Sequence, residues 1–266
     1  MAGEQRLDGG INEVVQLGQT IRRPVGPWSG SVHELLLELE SREFTGAPRF
    51  LGIDDEGREI LSKVAGQRPT VFEDALLGSA AALLRRYHDA VEGWAPKTAR
   101  WQSAPVAVGE PEVICHNDTA PWNLIAQDGT AVAFVDWDAA APGPRMWDLA
   151  YLAYTFVPLA APENLGPMGR PGPVPVRERL ALVRDAYGCS RQQWDSLLEM
   201  IPARVRAAYD TMRIWAAEDR PGWRAQWEQA EPWRHGAGYL RDLAYIAASV
   251  SEWPSLTSRA ADRPPA

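Results

Sequence analysis

The side chains that could do chemistry cluster between positions 116 and 137. The first run is His116-Asn117-Asp118-Thr119-Ala120-Pro121-Trp122-Asn123, and Phe134-Val135-Asp136-Trp137 follows. An Asp, an Asn five residues on, and a second Asp 13 residues beyond that Asn supply carboxylate and amide oxygens. Phosphoryl transfer uses such a set. One carboxylate orients an acceptor hydroxyl and takes its proton, while the other oxygens hold Mg2+ against nucleotide phosphates. Taken singly, Asp118 reads as a turn or N-cap residue and Asp136 as a strand end. It is their order and spacing together that carry the chemical reading. A metal hydrolase built on Asp118 and Asp136 would lack the usual His ligands.

Particular elements must deliver these groups to one cleft. Residues 113–115 read as a short strand leading into the first run. Residues 124–126 and 132–135 read as a hairpin across a turn containing Asp128-Gly129, which returns Asp136 to the same place. Upstream, residues 11–23 read as two short strands around Leu17-Gly18-Gln19. Val32, Leu35, Leu36 and Leu39 then mark one face of a helix. Residues 49–53 and 58–64 read as strands around the turn 54–57. Leu76, Ala80, Leu83, Leu84, Tyr87 and Val91 give a long amphipathic helix. From residue 146 onward the pattern is mostly helical, interrupted by a Pro/Gly-rich loop over 158–175, and the tail after Trp253 reads as frayed. The fold expected is α+β and bilobal. A small antiparallel-sheet lobe with one helix spans 1–65, a linker 66–69, and a larger mostly helical lobe 70–266.

The catalytic run resembles a known family. HNDTAPWN followed by FVDWD is similar to the catalytic loop and metal segment of the aminoglycoside phosphotransferase and choline kinase-like superfamily, which has the protein-kinase-like fold. The loop pattern there is His-Gly-Asp-x4-Asn, and the metal segment is an apolar residue, Asp, then Trp or Phe. The resemblance is specific over 113–152 and diffuse elsewhere. It implies Asp118 as the base or acceptor-orienting residue and Asn123 and Asp136 as Mg2+ ligands. His116 would buttress the loop, and Asp148 would hold it from the start of a helix. Asn117 stands where the family has Gly, which points to a left-handed backbone there. Residues 115–151 also resemble trifolitoxin-immunity-like proteins, an alternative in which the chain is a weak or inactive kinase-like binding protein.

The small lobe departs from the family pattern. Of 27 basic residues only Lys63 and Lys97 are lysines. Neither falls where the kinase lysine contacts the nucleotide phosphates. The strand before the first helix ends Ile21-Arg22-Arg23-Pro24, which makes Arg22 the expected phosphate contact and Arg23 the second choice. The helix glutamate that pairs with this cation is also displaced: His33 is the positional neighbour and Glu34 the chemical choice. Asp8-Gly9-Gly10-Ile11-Asn12 resembles a nucleotide loop, with Gly9, Gly10 and Asn12 as cofactor contacts; a simple turn competes equally.

Composition excludes other classes. A net charge of −8 opposes a nucleic-acid partner. No run has the ~18 apolar residues of a membrane span, and the N-terminus lacks the apolar core of a signal peptide. The 2 cysteines suggest a reducing, cytoplasmic setting. The expected activity is transfer of a γ-phosphoryl group from ATP or GTP, with Mg2+, to a hydroxyl of a small molecule. An aminoglycoside or other amino-bearing metabolite is the expected acceptor.

Overall fold

A computed structural model describes residues 4–7, 14–97, 99–102, 108–170, 172–228 and 236–253. Gly9, Gly10, Asn12 and the chain end after Trp253 lie outside the described residues. The N-terminal part is an antiparallel sheet of five strands: β1 (Gln5–Leu7), β2 (Val14–Leu17), β3 (Thr20–Pro24), β4 (Phe50–Ile53) and β5 (Arg58–Ser62). Their spatial order is β1-β2-β3-β5-β4. Gly18, at φ 60°, opens the two-residue turn between β2 and β3. A glycine tolerates that left-handed position, and the turn's twist matches the hairpin's. Helix α1 (Ser29–Ser41) buries Val32, Leu35, Leu36 and Leu39, the stripe expected from the sequence.

The β3–β5 register decides which side chains meet. Arg23 lies directly across from Glu59, and Ile21 from Leu61. Opposed residues of an antiparallel pair share a face, and neighbours along a strand alternate. Arg23 and Glu59 therefore point to one side and Arg22 to the other.

The larger part begins with α2 (Asp74–Ala90), which packs on α5 (Val176–Tyr187) and on β8 (Thr130–Phe134). Strand β6 (Val113–Cys115) pairs with β9 (Ala141–Gly143), and β7 (Leu124–Gln127) pairs with β8. Every residue of α3 (Arg145–Phe156) is buried. It packs against α6 (Arg191–Ala217), whose N-terminus carries a reciprocal Ser190–Gln193 capping box. The short helices α4 (Pro162–Leu165) and α7 (Trp223–Glu228) and the longer α8 (Ala237–Ser249) complete this part. One apolar cluster runs from α1 and β5 through α2, β6 and the β7–β8 hairpin to α3, α5, α6 and α8. The linker is tied to this body: Gln67 and Ala126 exchange two backbone hydrogen bonds of 2.9 and 2.8 Å. Strands β1 and β9 and helix α4 are additions to the sequence-based reading.

Candidate active site

Strand β6 ends at Cys115 and releases the 116–118 loop. Asp148, in the first turn of α3, holds that loop. Its carboxylate accepts the backbone N–H of His116 at 2.6 Å and of Asn117 at 2.7 Å. His88 Nε2, itself buried, lies 3.2 Å from Asp148 Oδ2. Burial pushes the Asp148 carboxyl up, but the His88 contact and the His116 amide outweigh it and hold it below its ordinary value. Asn117 adopts φ 65°, the left-handed backbone that the sequence suggested. Its side-chain amide donates to Ala139 O at 3.0 Å, and Arg204 from α6 donates to its carbonyl. His116 accepts the Asp118 backbone N–H at 3.2 Å through Nδ1, and its Nε2 lies 3.2 Å from the Val135 carbonyl. Burial pushes its pKa down, so it stays neutral, with one nitrogen accepting and the other donating. His116 is thus fully engaged in buttressing the loop.

Asp118 follows. Its Oδ2 accepts Asn123 Nδ2 at 2.7 Å and Trp122 Nε1 at 3.4 Å. Asn123 sits in the 3-10 turn Pro121–Asn123 and is 3% exposed. Its Nδ2 also donates to the Asp118 carbonyl at 3.1 Å, leaving the amide oxygen without a hydrogen bond among the described residues. Burial and the nearby Asp136 charge push the Asp118 carboxyl up to about 6.

Asp136 leaves β8 at φ 63° and ψ 72°. This left-handed turn points its half-exposed carboxylate back at the sheet of the small lobe. Arg23 meets it there, with Nη1 3.0 Å from Asp136 Oδ1. The same guanidinium donates to both oxygens of Asp138, at 3.2 and 2.9 Å, and its Nε pairs with Glu59. Arg23 is 6% exposed and Glu59 1%. Burial and the neighbouring Asp136 and Glu59 charges push Asp138 up to about 6, against the pull of Arg23.

These positions correct the reading of the small lobe. Arg22, the expected phosphate contact, is not brought to the cluster; alternation along β3 turns it to the opposite face, where its Nε and Nη1 are buried without a hydrogen bond among the described residues. Arg23 takes the place beside Asp136. Glu34 is likewise elsewhere, accepting the backbone N–H of Lys97 at 2.7 Å. Glu59 and Asp138 escaped the sequence reading. A signal for Glu59 exists, because a charged residue alternates with the buried Leu61 on the inward face of a short strand.

The donor set fits a hard divalent cation. An unbonded amide oxygen on Asn123 and the second oxygen of Asp136 are hard ligands, and Mg2+ is commonly bound by one or two protein oxygens plus phosphates and water.

Comparison with known proteins gives the family and the fold. The profile of the phosphotransferase enzyme family matches residues 18–183. The chain belongs to this family. It is 33% identical over 194 residues to the trifolitoxin immunity protein of Rhizobium leguminosarum bv. trifolii, covering 70% of this chain and 74% of that one. Among solved structures, this phosphotransferase-family chain superposes on a choline/ethanolamine kinase family protein from Mesorhizobium loti with a TM-score of 0.57 at 16% identity, covering 93% of each chain. It superposes on the streptomycin–ATP ternary complex of APH(2")-IIa with a TM-score of 0.53 at 14% identity, covering 82% of this chain and 89% of that one. The fold is kinase-like, as the resemblance implied.

Proposed function

We propose that this chain transfers the γ-phosphoryl group of ATP or GTP to a hydroxyl of a small molecule. The observation that carries the reading is the Asp118–Asn123 pair facing Asp136 and Arg23. Asp118 Oδ2 is held by Asn123 and Trp122, which leaves Oδ1 to accept the hydroxyl proton of an acceptor. Its raised pKa makes it a stronger base than an ordinary carboxylate. Asn123 and Asp136 would hold Mg2+, which when bound neutralises charge on the phosphates. Arg23, in place of Arg22, forks onto Asp136 and Asp138 as a lysine could not, and places its positive charge beside the site where the phosphates would lie. His116 and Asp148 keep the loop in shape.

Turnover of Mg·ATP or Mg·GTP with a panel of hydroxyl acceptors, amino sugars and amino alcohols among them, tests the reading. Asp118→Asn should lower turnover by at least about 100-fold, the scale of general-base catalysis, with nucleotide affinity retained. Unchanged turnover in that variant would remove Asp118 from the reaction.

A second reading is a kinase-like immunity protein without turnover. The identity to the trifolitoxin immunity protein favours it. Under that reading the chain would bind its ligand with no nucleotide consumed by any acceptor.

A further inference from the structure

The small lobe contains a buried charge network that uses neither a lysine nor a helix glutamate. Arg23 on β3 pairs through Nε with Glu59 on β5, its direct cross-strand neighbour. The other Glu59 oxygen lies 2.6 Å from His33 Nε2. His33 is on α1, and its ring stacks on Phe50 of β4 at 3.8 Å between centroids and 12° between planes. One carboxylate, 1% exposed, thus ties β3, β5 and α1 together.

A buried carboxylate is retained only if its charge is matched and its oxygens are hydrogen-bonded. Both conditions hold for Glu59, by Arg23 on one oxygen and His33 on the other. The consequence for Arg23 is geometric. With Nε fixed by Glu59, the guanidinium plane is fixed, and its two terminal nitrogens are aimed at Asp136 and Asp138. Without Glu59 the side chain would keep its charge but lose the anchor that sets this plane.

We propose that Glu59 and His33 are positioning residues for nucleotide binding. Glu59 fixes the Arg23 guanidinium against Asp136 and Asp138, beside which the phosphates of Mg·nucleotide would lie, and His33 couples that carboxylate to α1. The inference rests on the phosphotransferase reading above and adds the residues that orient the Arg23 guanidinium in it. Glu59 and His33 act through Arg23 and need not touch nucleotide themselves.

Titration calorimetry of the full chain with Mg·ATP and with Mg·GTP tests it. Glu59→Gln keeps the size of the side chain and removes the charge; its affinity for nucleotide should fall at least tenfold. His33→Phe keeps a ring on Phe50 and removes the nitrogen; its affinity should fall several-fold. In turnover assays both should raise the KM for nucleotide and leave the KM for the acceptor unchanged, a split that general loss of structure would not produce. Wild-type affinity in both variants overturns the inference, as does a loss in Glu34→Gln that equals the loss in Glu59→Gln. If Glu59→Gln does not fold, His33→Phe alone decides by the same criterion. A wild-type chain that binds neither nucleotide overturns the underlying phosphotransferase reading instead.

Discussion

Asp118 sits in an environment at odds with its charge. Its carboxyl is pushed up to about 6 from an ordinary 3.8, first by burial and then by Asp136. The folded chain therefore holds this proton more tightly than the unfolded chain does. Ionising Asp118 costs stability, by about 2–3 kcal/mol once complete. That cost is absent below about pH 4 and grows as pH rises through about 6. Asp118→Asn removes it. The variant should be more stable than wild type at pH 8, by up to about 2 kcal/mol, and equal to it near pH 4. Urea unfolding of both proteins at matched pH measures the difference; an Asn variant less stable at pH 8 would contradict the strained-carboxylate account. Catalysis runs the other way. If Asp118 is the base, as proposed, it works only when ionised, so turnover should fall as pH drops below about 6. A site that destabilises the fold at the pH where it would be active is common where function is built.

At the scale of elements, α3 matters most to the loop, through Asp148 in its first turn. That carboxylate satisfies two buried backbone N–H groups and contacts His88. Asp148→Ala leaves all three without it, and we expect a loss of about 3 kcal/mol or more. Denaturant midpoints would show this, and any turnover should vanish with it because His116 and Asn117, which carry Asp118, lose their anchor. A near-neutral variant would mean the loop is held chiefly by Arg204 and by Thr119, whose hydroxyl donates to the Asp148 carbonyl at 2.9 Å. Asp148 was legible in the sequence because it sits at a helix start next to a recognisable loop. Helix α1 and the 124–134 hairpin were legible for the same local reason: periodicity and turn residues lie within a few positions of each other. Strand β9 was not, because Ala141-Pro142-Gly143 has no periodicity and exists as a strand through pairing with β6. The Arg22/Arg23 choice failed for a related reason. A shift of one residue along a strand exchanges its faces, and the face is set by the pairing of β3 with β5, which are separated in sequence by α1 and β4. That Glu59 faces Arg23 was hidden by the same long-range pairing.

For the whole molecule, the separation of charge between its two parts decides what the cleft accepts. Arg23 and Glu59 come from the N-terminal sheet; Asn123, Asp136 and Asp138 come from the hairpin region of the larger part. Three carboxylates face the one guanidinium in this cluster. Under the proposed function, such a cluster should repel a bare nucleotide and accept one whose phosphates carry a divalent cation. Mg2+ alone should add little stability, because Asn123 and Asp136 provide few of its six oxygens without phosphates. Mg·nucleotide should add more than either component, since in the proposed site it would contact both parts at once. A ligand that binds only the folded state at 100 times its Kd stabilises by about 2.7 kcal/mol, which for a chain of this size corresponds to roughly 5–10 °C in Tm. Thermal unfolding with Mg2+, ATP plus chelator, Mg·ATP and Mg·GTP separates the cases. A shift confined to one or both Mg·nucleotide arms supports a working kinase cleft spanning the two parts. No shift in any arm would favour the immunity-protein reading, in which the phosphotransferase fold is kept for a different ligand.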